Sequence, residues 1–289
     1  MRVAVITLVA GRDRHLRLQQ RGLAAGSRVP DHYVVVTMDD PAADRPILPP
    51  PPAADVVAVP VEGTALPLAR ARNVGARRAL AGGADVLIFL DVDCVPGPRT
   101  VDRYARTAVD GMVLSGAVTY LPPPPPAGYV LADLASSAEP HPARPDPADD
   151  QVLGGGDPNL FWSLSFALTP ATWTRVGGFC EEYEGYGGED TDFGYACARA
   201  GVELGWLGGA PVYHQWHPVS RPPVEHIDDI LRNGALFRRR WGMWPMRGWL
   251  AEFAAMGLVH HDEATDTWRR HTGRGTSTRG ARYRFDGPG

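Results

Sequence analysis

Lysine is absent from this sequence, and all 29 basic residues are arginine. The absence excludes mechanisms that need a lysine amine, because neither a Schiff-base lysine nor a phosphate-loop lysine can be present. The absence of lysine, together with the high content of alanine, glycine and proline, indicates codon bias in a GC-rich genome. Strong charge of either sign is also missing: the formal net charge of -4 gives no reason to expect nucleic acid as a partner.

Cysteine and long hydrophobic runs are scarce as well. The three cysteines, Cys94, Cys180 and Cys197, form no Cys-x-x-Cys pair, which argues against a zinc framework. Their odd number and wide spacing suit a reducing compartment. The apolar run Val3–Val9 is too short to cross a membrane, and no small-residue cleavage site follows it. We therefore expect a cytoplasmic protein.

What is present in the first 120 residues is an alternation of strand and helix patterns. This order predicts an α/β fold with a mostly parallel central sheet and helices on both faces. The predicted strands are Val3–Val9, Tyr33–Met38, Asp55–Val59, Val86–Leu90 and Met112–Tyr120, with helices predicted at 13–24, 66–81 and 99–108.

Asp91-Val92-Asp93 comes directly after Val86–Leu90, an apolar run typical of a fully buried strand. In open α/β sheets, ligands bind outside the carboxyl ends of the strands. A pair of carboxylates there suits Mg²⁺ or Mn²⁺ holding a diphosphate, which predicts a nucleotide-sugar site. Taken alone, the motif is also compatible with a solvated turn, because aspartate favours turns.

Glycines and acids follow one another from Gly185 to Asp192, and a helical pattern comes next. Acids at a helix N-terminus are stabilised by the helix dipole and the free N–H groups, so one interpretation is a simple cap. The other is functional. Gly187 and Gly188 allow a ligand close to the backbone, Tyr186 offers a flat face to a sugar ring, and a carboxylate such as Asp190 can take a proton from a hydroxyl.

Two histidines, His214 and His217, follow the short predicted strand Pro211–Tyr213. Histidines three residues apart on an irregular segment can both reach one cation, and imidazole suits Mn²⁺ or Zn²⁺ better than Ca²⁺. A single histidine is more often structural. The pair, together with the acids, predicts that at least one of the two is a metal ligand.

Arginines stand at two further places where a nucleotide could bind. Arg12 and Arg14 follow the first predicted strand, and a guanidinium offers several donors in a fixed fork to a base or a diphosphate. The alternative interpretation is that Arg12 and Arg14 belong to the charged first turn of a surface helix. Arg72 and Asn73 lie in the helix that precedes the strand of the aspartate pair, and could face the donor site. Gly75 of the same helix is predicted to mark close packing against the sheet.

Taken in order, these segments resemble a glycosyltransferase of the GT-A type, similar to family 2. The segment 185–190 is similar to the Gly-Trp-Gly-Gly-Glu-Asp hallmark of the galactosyltransferase and N-acetylgalactosaminyltransferase families. The resemblance runs from about Arg2 to His217 and implies a GT-A fold; the residues after His217 are unmatched, and their own pattern predicts a C-terminal helical extension. The other segments that carry it are Arg12–Leu16, Arg70–Gly75, Phe89–Asp93 and Val176–Phe179.

The resemblance also implies a role for each residue of the predicted metal site. The cofactor would be a divalent cation, Mn²⁺ or Mg²⁺. Asp93 would be its main carboxylate ligand, with Asp91 near the ribose or the metal. His217 would match the metal-binding histidine of the family, and His214 lies where that family can use a methionine.

For catalysis, the resemblance implies that Asp190 is the general base and that Glu189 helps to hold the acceptor. Tyr186 replaces the usual tryptophan and would lie beside the acceptor with the two glycines that follow it. The residues implied in binding the donor nucleotide are Arg12, Arg14, Arg72, Asn73, Asp91 and Asp93.

The implied reaction is a single displacement with inversion at the anomeric carbon. A hexose or N-acetylhexosamine would pass from a nucleotide sugar, expected to be UDP-linked, to the hydroxyl of a glycan, small-molecule or lipid-linked acceptor. Two other functions stay open: a non-catalytic carbohydrate-binding relative, against which the acids and histidines argue, and a sugar-phosphate nucleotidyltransferase, against which the lack of lysine argues.

We divide the chain into a transferase domain, residues 1–220, and a C-terminal extension, residues 221–289. Within the domain, 1–120 would bind the nucleotide and 158–220 the acceptor and metal. Residues 122–157, rich in proline and aspartate, are predicted to be a mobile loop, either a lid or a surface insertion.

The C-terminal extension is predicted to contain helices at 224–241 and 244–257 and a flexible tail from His271. Its stretch 237–249 carries arginines among tryptophans. Two interpretations are open: a peripheral contact with the membrane surface, or a packed helix with a solvated arginine face.

Overall fold

The structure is a computed structural model that describes residues 1–39 and 52–271. The proline-rich loop predicted at 41–52 lies, apart from its last residue, outside the described residues, as does the tail predicted beyond His271. The strands are β1 Val3–Val9, β2 His32–Met38, β3 Ala54–Val59, β4 Val86–Leu90, β5 Cys94–Pro96, β6 Met112–Tyr120, β7 Glu139–Pro140, β8 Val152–Leu153, β9 Ser165–Leu168, β10 Glu203–His214, β11 Val259–Asp262 and β12 Thr267–Arg270. The helices are α1 Asp13–Ala25, α2 Leu68–Ala81, α3 Thr100–Thr107, α4 Leu134–Ser137, α5 Pro170–Val176, α6 Glu189–Arg199, α7 Ile227–Trp241 and α8 Arg247–Ala255.

Strands β1 to β10 form one central sheet in the described part of the chain. Its main path runs β3-β2-β1-β4-β9-β6-β10-β5, with β7 beside β6 and β8 beside β10. The β2–β3, β1–β2, β1–β4 and β6–β10 pairs are parallel, whereas β9 runs antiparallel to β4 and β6. The predicted α/β architecture with a mostly parallel sheet is therefore confirmed.

The core consists of two apolar layers, one on each face of the sheet, because the central strands are buried on both sides. Helix α2 packs closely on one face. A Cβ atom at Gly75 would lie only 2.4 Å from Cγ2 of Ile6, so the glycine allows the helix to approach β1. This close approach confirms the packing role predicted for Gly75.

The segment predicted to be a mobile loop, residues 122–157, contains more structure than the composition suggests. It includes α4 and the short strands β7 and β8, which pair with β6 and β10. Arg144 is buried within it and lies over the rings of Trp162 and Trp206, at 5.2 and 4.7 Å from their centroids. The prediction of an unstructured loop missed these contacts because each depends on strands distant in sequence.

Helices α7 and α8 confirm the predicted helices of the C-terminal extension, but the hairpin formed by β11 and β12 was not predicted. Several basic and aromatic side chains of the 237–249 stretch pack against the protein, whereas Arg239 and Arg247 are exposed. Arg240 Nε and Trp241 Nε1 donate to Asp192 at 2.7 and 2.6 Å, and Trp244 Nε1 donates to the carbonyl of Asp266 at 3.0 Å. This packing favours the second interpretation of the stretch, and the membrane contact is not supported.

A search of the described helices for one long and apolar enough to cross a membrane found none.

Candidate active site

Strand pairing brings the aspartate motif and the histidine motif together. β4 ends at Leu90, and Asp91-Val92-Asp93 leads directly into β5, which pairs with the end of β10. Cys94 lies opposite His214 in this pairing, and the Gln215 N–H donates to the Asp93 carbonyl at 2.8 Å. The carboxyl ends of β4 and β10 therefore share one edge of the sheet, as predicted for the donor site.

Asp93, His214 and His217 form the cluster that could hold a metal ion. Their ligand atoms all lie within 4.8 Å of one another. The Nε2 atoms of His214 and His217 are 3.6 and 3.5 Å from the Asp93 carboxylate, and all three side chains are at least partly buried. In the described residues, the cluster does not include Asp91, which was predicted as a further ligand; its carboxylate faces Arg72 instead.

This donor set fits a borderline cation such as Mn²⁺. One carboxylate oxygen and two imidazole nitrogens are ligands that Mn²⁺ accepts, whereas Mg²⁺ prefers oxygen alone. Three protein ligands also leave coordination positions for a diphosphate. The structure thus supports both histidines as candidate ligands, including His214, for which the sequence argument was weaker.

Protonation of the cluster suits metal binding near neutral pH. Burial acts to raise the pKa of Asp93, but the His217 hydrogen bond and the His214 and Arg12 charges outweigh it and bring that pKa to about 2. Burial lowers the pKa of His214, which keeps its imidazole neutral. A ligating carboxylate must be ionised and a ligating imidazole neutral, and Asp93 and His214 meet these conditions near neutral pH. Arg12, whose guanidinium pairs with Asp93, supplies positive charge at this edge.

Arg72 connects the aspartate motif to the glycine-rich motif. Its guanidinium is 3.3 Å from Asp91 Oδ1 and 3.1 Å from Glu189 Oε1, and it lies over the ring of Phe179 at 5.2 Å. The side chain is only 4 % exposed. A single buried cation therefore holds one acid from each motif, so the predicted donor and acceptor halves meet in one site.

Two acids of this site, Asp91 and Asp190, have raised pKa values. Burial raises the pKa of Asp91 to about 6, against the opposing charge of Arg72. Burial, with the nearby charge of Glu189, raises the pKa of Asp190 to about 7. A carboxylate with a pKa near neutrality is suited to general-base chemistry, because it can take up a proton during the reaction and release it afterwards.

The backbone before these acids is built from glycines with positive φ. Gly185, Gly187 and Gly188 have φ of +69°, +89° and +94°. Gly188 is the N-cap of α6, so Glu189 and Asp190 occupy the first turn. No side chain caps the helix: Asp190 Oδ1 accepts the N–H of Thr191 at 2.7 Å, a contact within the same turn.

Asp192, the third acid of the motif, has a structural role. It is 1 % exposed, and its carboxylate accepts from Arg240, Trp241 and Tyr183. These contacts tie α6 to the end of α7. Of the acids in the motif, only Glu189 and Asp190 are thus left for the site.

Of the residues predicted to bind the nucleotide, Asn73 is engaged in contacts within the protein and Arg14 is exposed. Asn73 Nδ2 donates to the Phe179 carbonyl and to Glu181 Oε1, and its Oδ1 accepts the Phe179 N–H at 2.9 Å. Its amide therefore clamps the 179–181 loop to α2, and a nucleotide contact is not supported by this arrangement. Arg14 is exposed in the first turn of α1, in agreement with the alternative interpretation of that segment.

Sequence reasoning missed Gln19, which organises the donor edge from α1. Its Nε2 donates to the carbonyls of Asp91 and Cys94 at 2.7 and 3.0 Å, and its Oε1 accepts from Thr7 and Tyr33. The side chain is fully buried. The available signal was a glutamine on the apolar face of an amphipathic helix, since a buried amide there needs polar partners.

The C-terminal half of this site matches a known family model. Residues 159–227 match the model described as the N-terminal domain of galactosyltransferase. The matched region includes the glycine-rich motif and both candidate histidine ligands, but not the aspartate motif.

Curated relatives give a longer match. The chain is 28 % identical over 231 residues to the validoxylamine A glucosyltransferase of Streptomyces hygroscopicus subsp. limoneus, covering 70 % of this chain and 49 % of the relative. It is 31 % identical over 156 residues to the protein of the same name from Streptomyces hygroscopicus subsp. jinggangensis strain 5008, covering 47 % of this chain and 36 % of the relative. The chain thus spans about half or less of the length of these relatives.

A solved structure supports the fold. A crystal structure of GalNAc-T7 with UDP, GalNAc and Mn²⁺ superposes with a TM-score of 0.53 over 88 % of this chain and 57 % of that one, at 13 % identity. At this identity the similarity supports the fold alone. Together, these findings confirm the predicted GT-A fold and the predicted resemblance to the galactosyltransferase and N-acetylgalactosaminyltransferase families.

Proposed function

We propose that this chain is a metal-dependent, inverting glycosyltransferase that moves a hexose or N-acetylhexosamine from a UDP-linked sugar to an acceptor hydroxyl. The observation that carries the proposal is the Arg72 bridge. It joins Asp91, at the edge that holds the cation cluster, to Glu189, the neighbour of the candidate base Asp190. The names of the curated relatives support transfer of a hexose, and the UDP and Mn²⁺ in the structural neighbour support the nucleotide and the ion.

The donor half would bind the nucleotide diphosphate. Asp93, His214 and His217 would hold the divalent cation, which would neutralise negative charge on the leaving diphosphate. Arg12 lies at the same edge, where its guanidinium could donate to phosphate oxygens. Gln19 keeps the turn that carries the aspartates in place, through the carbonyls of Asp91 and Cys94.

The acceptor half would supply the base. Asp190 would accept the proton of the acceptor hydroxyl while the oxygen of that hydroxyl attacks the anomeric carbon. The bond from this carbon to the diphosphate oxygen breaks on the opposite side, so the configuration inverts. Because the pKa of Asp190 is raised to about 7 by burial, a large part of the population is ionised at neutral pH.

Calorimetry with a panel of UDP, GDP, dTDP and CMP, with and without Mn²⁺, tests the donor half. We expect binding of UDP that needs both Mn²⁺ and Asp93, so that Asp93→Ala abolishes it. Asp228→Ala is a matched control, since this aspartate is exposed and pairs with Arg270 on the C-terminal hairpin. Binding of none of the four, or equal binding without Mn²⁺, would contradict the proposal and favour a non-catalytic carbohydrate-binding relative.

Inversion is tested separately. With a UDP-sugar donor and an acceptor found by screening, the anomeric proton coupling of the product in NMR reports its configuration. A product with the configuration of the donor would contradict the single displacement.

A further inference from the structure

The glycine-rich loop before α6, residues 184–188, has little conformational preference of its own. Its three glycines, Gly185, Gly187 and Gly188, all have positive φ, and glycine loses more backbone freedom on folding than any other residue. Glu189 and Asp190 follow the loop directly, in the first turn of α6. Contacts from elsewhere in the protein must therefore fix the loop if these two acids are to be held in place.

Asn233 of α7 supplies the central contact. Its side chain is 1 % exposed, and its Nδ2 donates to the carbonyls of Glu184, Tyr186 and Gly187 at 2.9, 3.2 and 2.8 Å. The Oδ1 atom of the same amide is buried without a hydrogen-bond partner among the described residues. Because a buried acceptor without a partner lowers stability, the stability of the fold does not by itself account for an amide at this position.

Asp229, one turn earlier on α7, holds the same loop through its backbone N–H groups and carbonyls. Its Oδ2 accepts the Tyr186 N–H at 3.1 Å, and its Oδ1 accepts from Arg232 at 2.8 Å. Arg232 in turn donates to the Glu184 carbonyl. One face of α7 thus pairs with both the donors and the acceptors of the loop backbone.

The glycines of the loop leave room for the C-terminal extension. A Cβ atom at Gly185 would lie 2.2 Å from Oδ2 of Asp229, and one at Gly187 would lie 2.9 Å from the sulfur of Met246. The sequence predicted that Gly187 allows a ligand close to the backbone. In the structure, Met246 of the extension fills the space beside it.

The ring of Tyr186 also packs against the extension. It is nearly parallel to the ring of His226, with centroids 4.4 Å apart, and Trp249 of α8 stacks on it at 5.9 Å. The flat face of Tyr186 that we predicted to be offered to a sugar is therefore in contact with other rings. Backbone and side chain of the loop are both held by residues beyond 220.

We propose that Asn233 and Asp229 are positioning residues for catalysis, which fix the glycine-rich loop so that the carboxylate of Asp190 meets the acceptor oxygen in the geometry that proton transfer needs. A displacement of about 1 Å at a reacting group costs on the order of a hundredfold in rate. The inference rests on the proposed function, in which Asp190 is the base. It makes the C-terminal extension a part of the active site.

The first test is Asn233→Asp in the full chain, which keeps the shape of the side chain but turns a carboxylate oxygen toward three carbonyls. The assay is hydrolysis, with water as the acceptor, of whichever of UDP-glucose, UDP-galactose and UDP-N-acetylglucosamine the unaltered protein hydrolyses fastest at saturating Mn²⁺. We expect kcat to fall about 30- to 100-fold. The affinity for UDP with Mn²⁺ should stay within about twofold, because the hydrogen bonds of Asn233 in the described chain all go to the loop.

The second test changes Asp229, whose side chain is 23 % exposed and so tolerates replacement better. Asp229→Ala should lower kcat about tenfold, since the Tyr186 N–H loses its acceptor. Asp229→Asn keeps an oxygen that can accept this N–H and should restore most of the rate. A role limited to overall stability would not produce this rescue together with unchanged affinity for UDP.

Hydrogen–deuterium exchange gives a readout that does not depend on activity. A peptide covering 184–190 should exchange about tenfold faster in Asn233→Asp and in Asp229→Ala than in the unaltered protein. Arg238→Met is the matched control. Arg238 lies on the same helix, but its Nε donates to Asp266 on the C-terminal hairpin at 2.6 Å, so its loss should change neither kcat nor the exchange of the loop.

Several results would overturn the inference. They are an unchanged kcat or unchanged loop exchange in both Asn233→Asp and Asp229→Ala, an equal loss of kcat in Arg238→Met, or a loss of UDP affinity as large as the loss of kcat. Each of these is measured on variants of a protein that hydrolyses the donor, so the proposed function would stand. Hydrolysis of none of the three donors by the unaltered protein would instead overturn the proposed function, and the catalytic role of the loop with it.

Discussion

Arg72 donates to Glu189 across 117 residues of sequence, with Nη1 and Oε1 at 3.1 Å. The same guanidinium contacts Asp91 at 3.3 Å. A buried guanidinium between two acids is stable because each partner compensates the desolvation of the other. Arg72 therefore holds the aspartate motif and the glycine-rich motif in a fixed position relative to each other, and its removal should affect both motifs.

Replacing Arg72 with methionine is expected to destabilise the fold by about 3–5 kcal/mol, because the buried carboxylate of Glu189 and the partly buried carboxylate of Asp91 lose their counter-charge. Urea unfolding followed by circular dichroism measures the loss. Arg78→Met is a matched control: Arg78 also pairs with an aspartate, Asp55, but at the surface, so its loss should be much smaller. An equal loss of unfolding free energy in the two variants would contradict the larger stabilisation that we expect from the buried Arg72 bridge.

Transfer activity is expected to fall as the pH drops below about 7, by about tenfold per pH unit. The pKa of Asp190 is raised to about 7 by burial and by the charge of Glu189, so its carboxylate becomes protonated below that pH and can no longer act as a base. The measurement is the pH dependence of kcat/KM at saturating Mn²⁺, since protonation of the histidines would otherwise weaken metal binding.

The variant Glu189→Gln sharpens this test. Because the charge of Glu189 raises the pKa of Asp190, its removal should move the inflection of the profile to lower pH, even if the rate itself falls. An inflection that stays in place, or moves to higher pH, would show that Asp190 is not the titrating base.

Arg12 is expected to compete with the cation for Asp93, because its guanidinium pairs with the same carboxylate. Arg12→Met should therefore raise Mn²⁺ affinity in the absence of nucleotide by about three- to tenfold. The same change should lower the affinity for UDP in the presence of Mn²⁺, since a donor to the diphosphate is lost. Calorimetry measures both affinities.

The matched control for this prediction is Arg17→Met, at an exposed position one turn later in α1. It removes the same charge without touching Asp93. A fall in Mn²⁺ affinity for Arg12→Met, or an equal rise for Arg17→Met, would contradict competition at the carboxylate.

Most strands and helices could be predicted from the sequence because their signals are local. Apolar runs such as Val86–Leu90 coincide with buried strands, and Gly75 was correctly predicted to mark close packing on the sheet. The short strands at Glu139–Pro140 and Val152–Leu153 were missed, because two-residue strands carry no periodic pattern and form only against β6 and β10.

The residues of the candidate site could be predicted from the sequence, but the contacts among their side chains could not. Asp91 and Asp93 have the same local context, yet the structure separates them: Asp93 faces the two histidines and Asp91 faces Arg72. Asp91, Val92 and Asp93 lie in a turn in which the Cys94 N–H donates to the Asp91 carbonyl at 2.9 Å, and distant segments place a different partner beside each carboxylate.

The sequence by itself determined the α/β architecture, the order of the motifs and the types of ligand at the strand ends, because these depend on residues that are neighbours along the chain. Only the tertiary structure decided that Arg72 joins the two motifs, that Gln19 supports the turn after β4, and that Asn233 holds the glycine-rich loop. Each of these is a buried polar group whose hydrogen-bond partners lie far away in sequence, and burial in the folded chain is what makes those partners necessary.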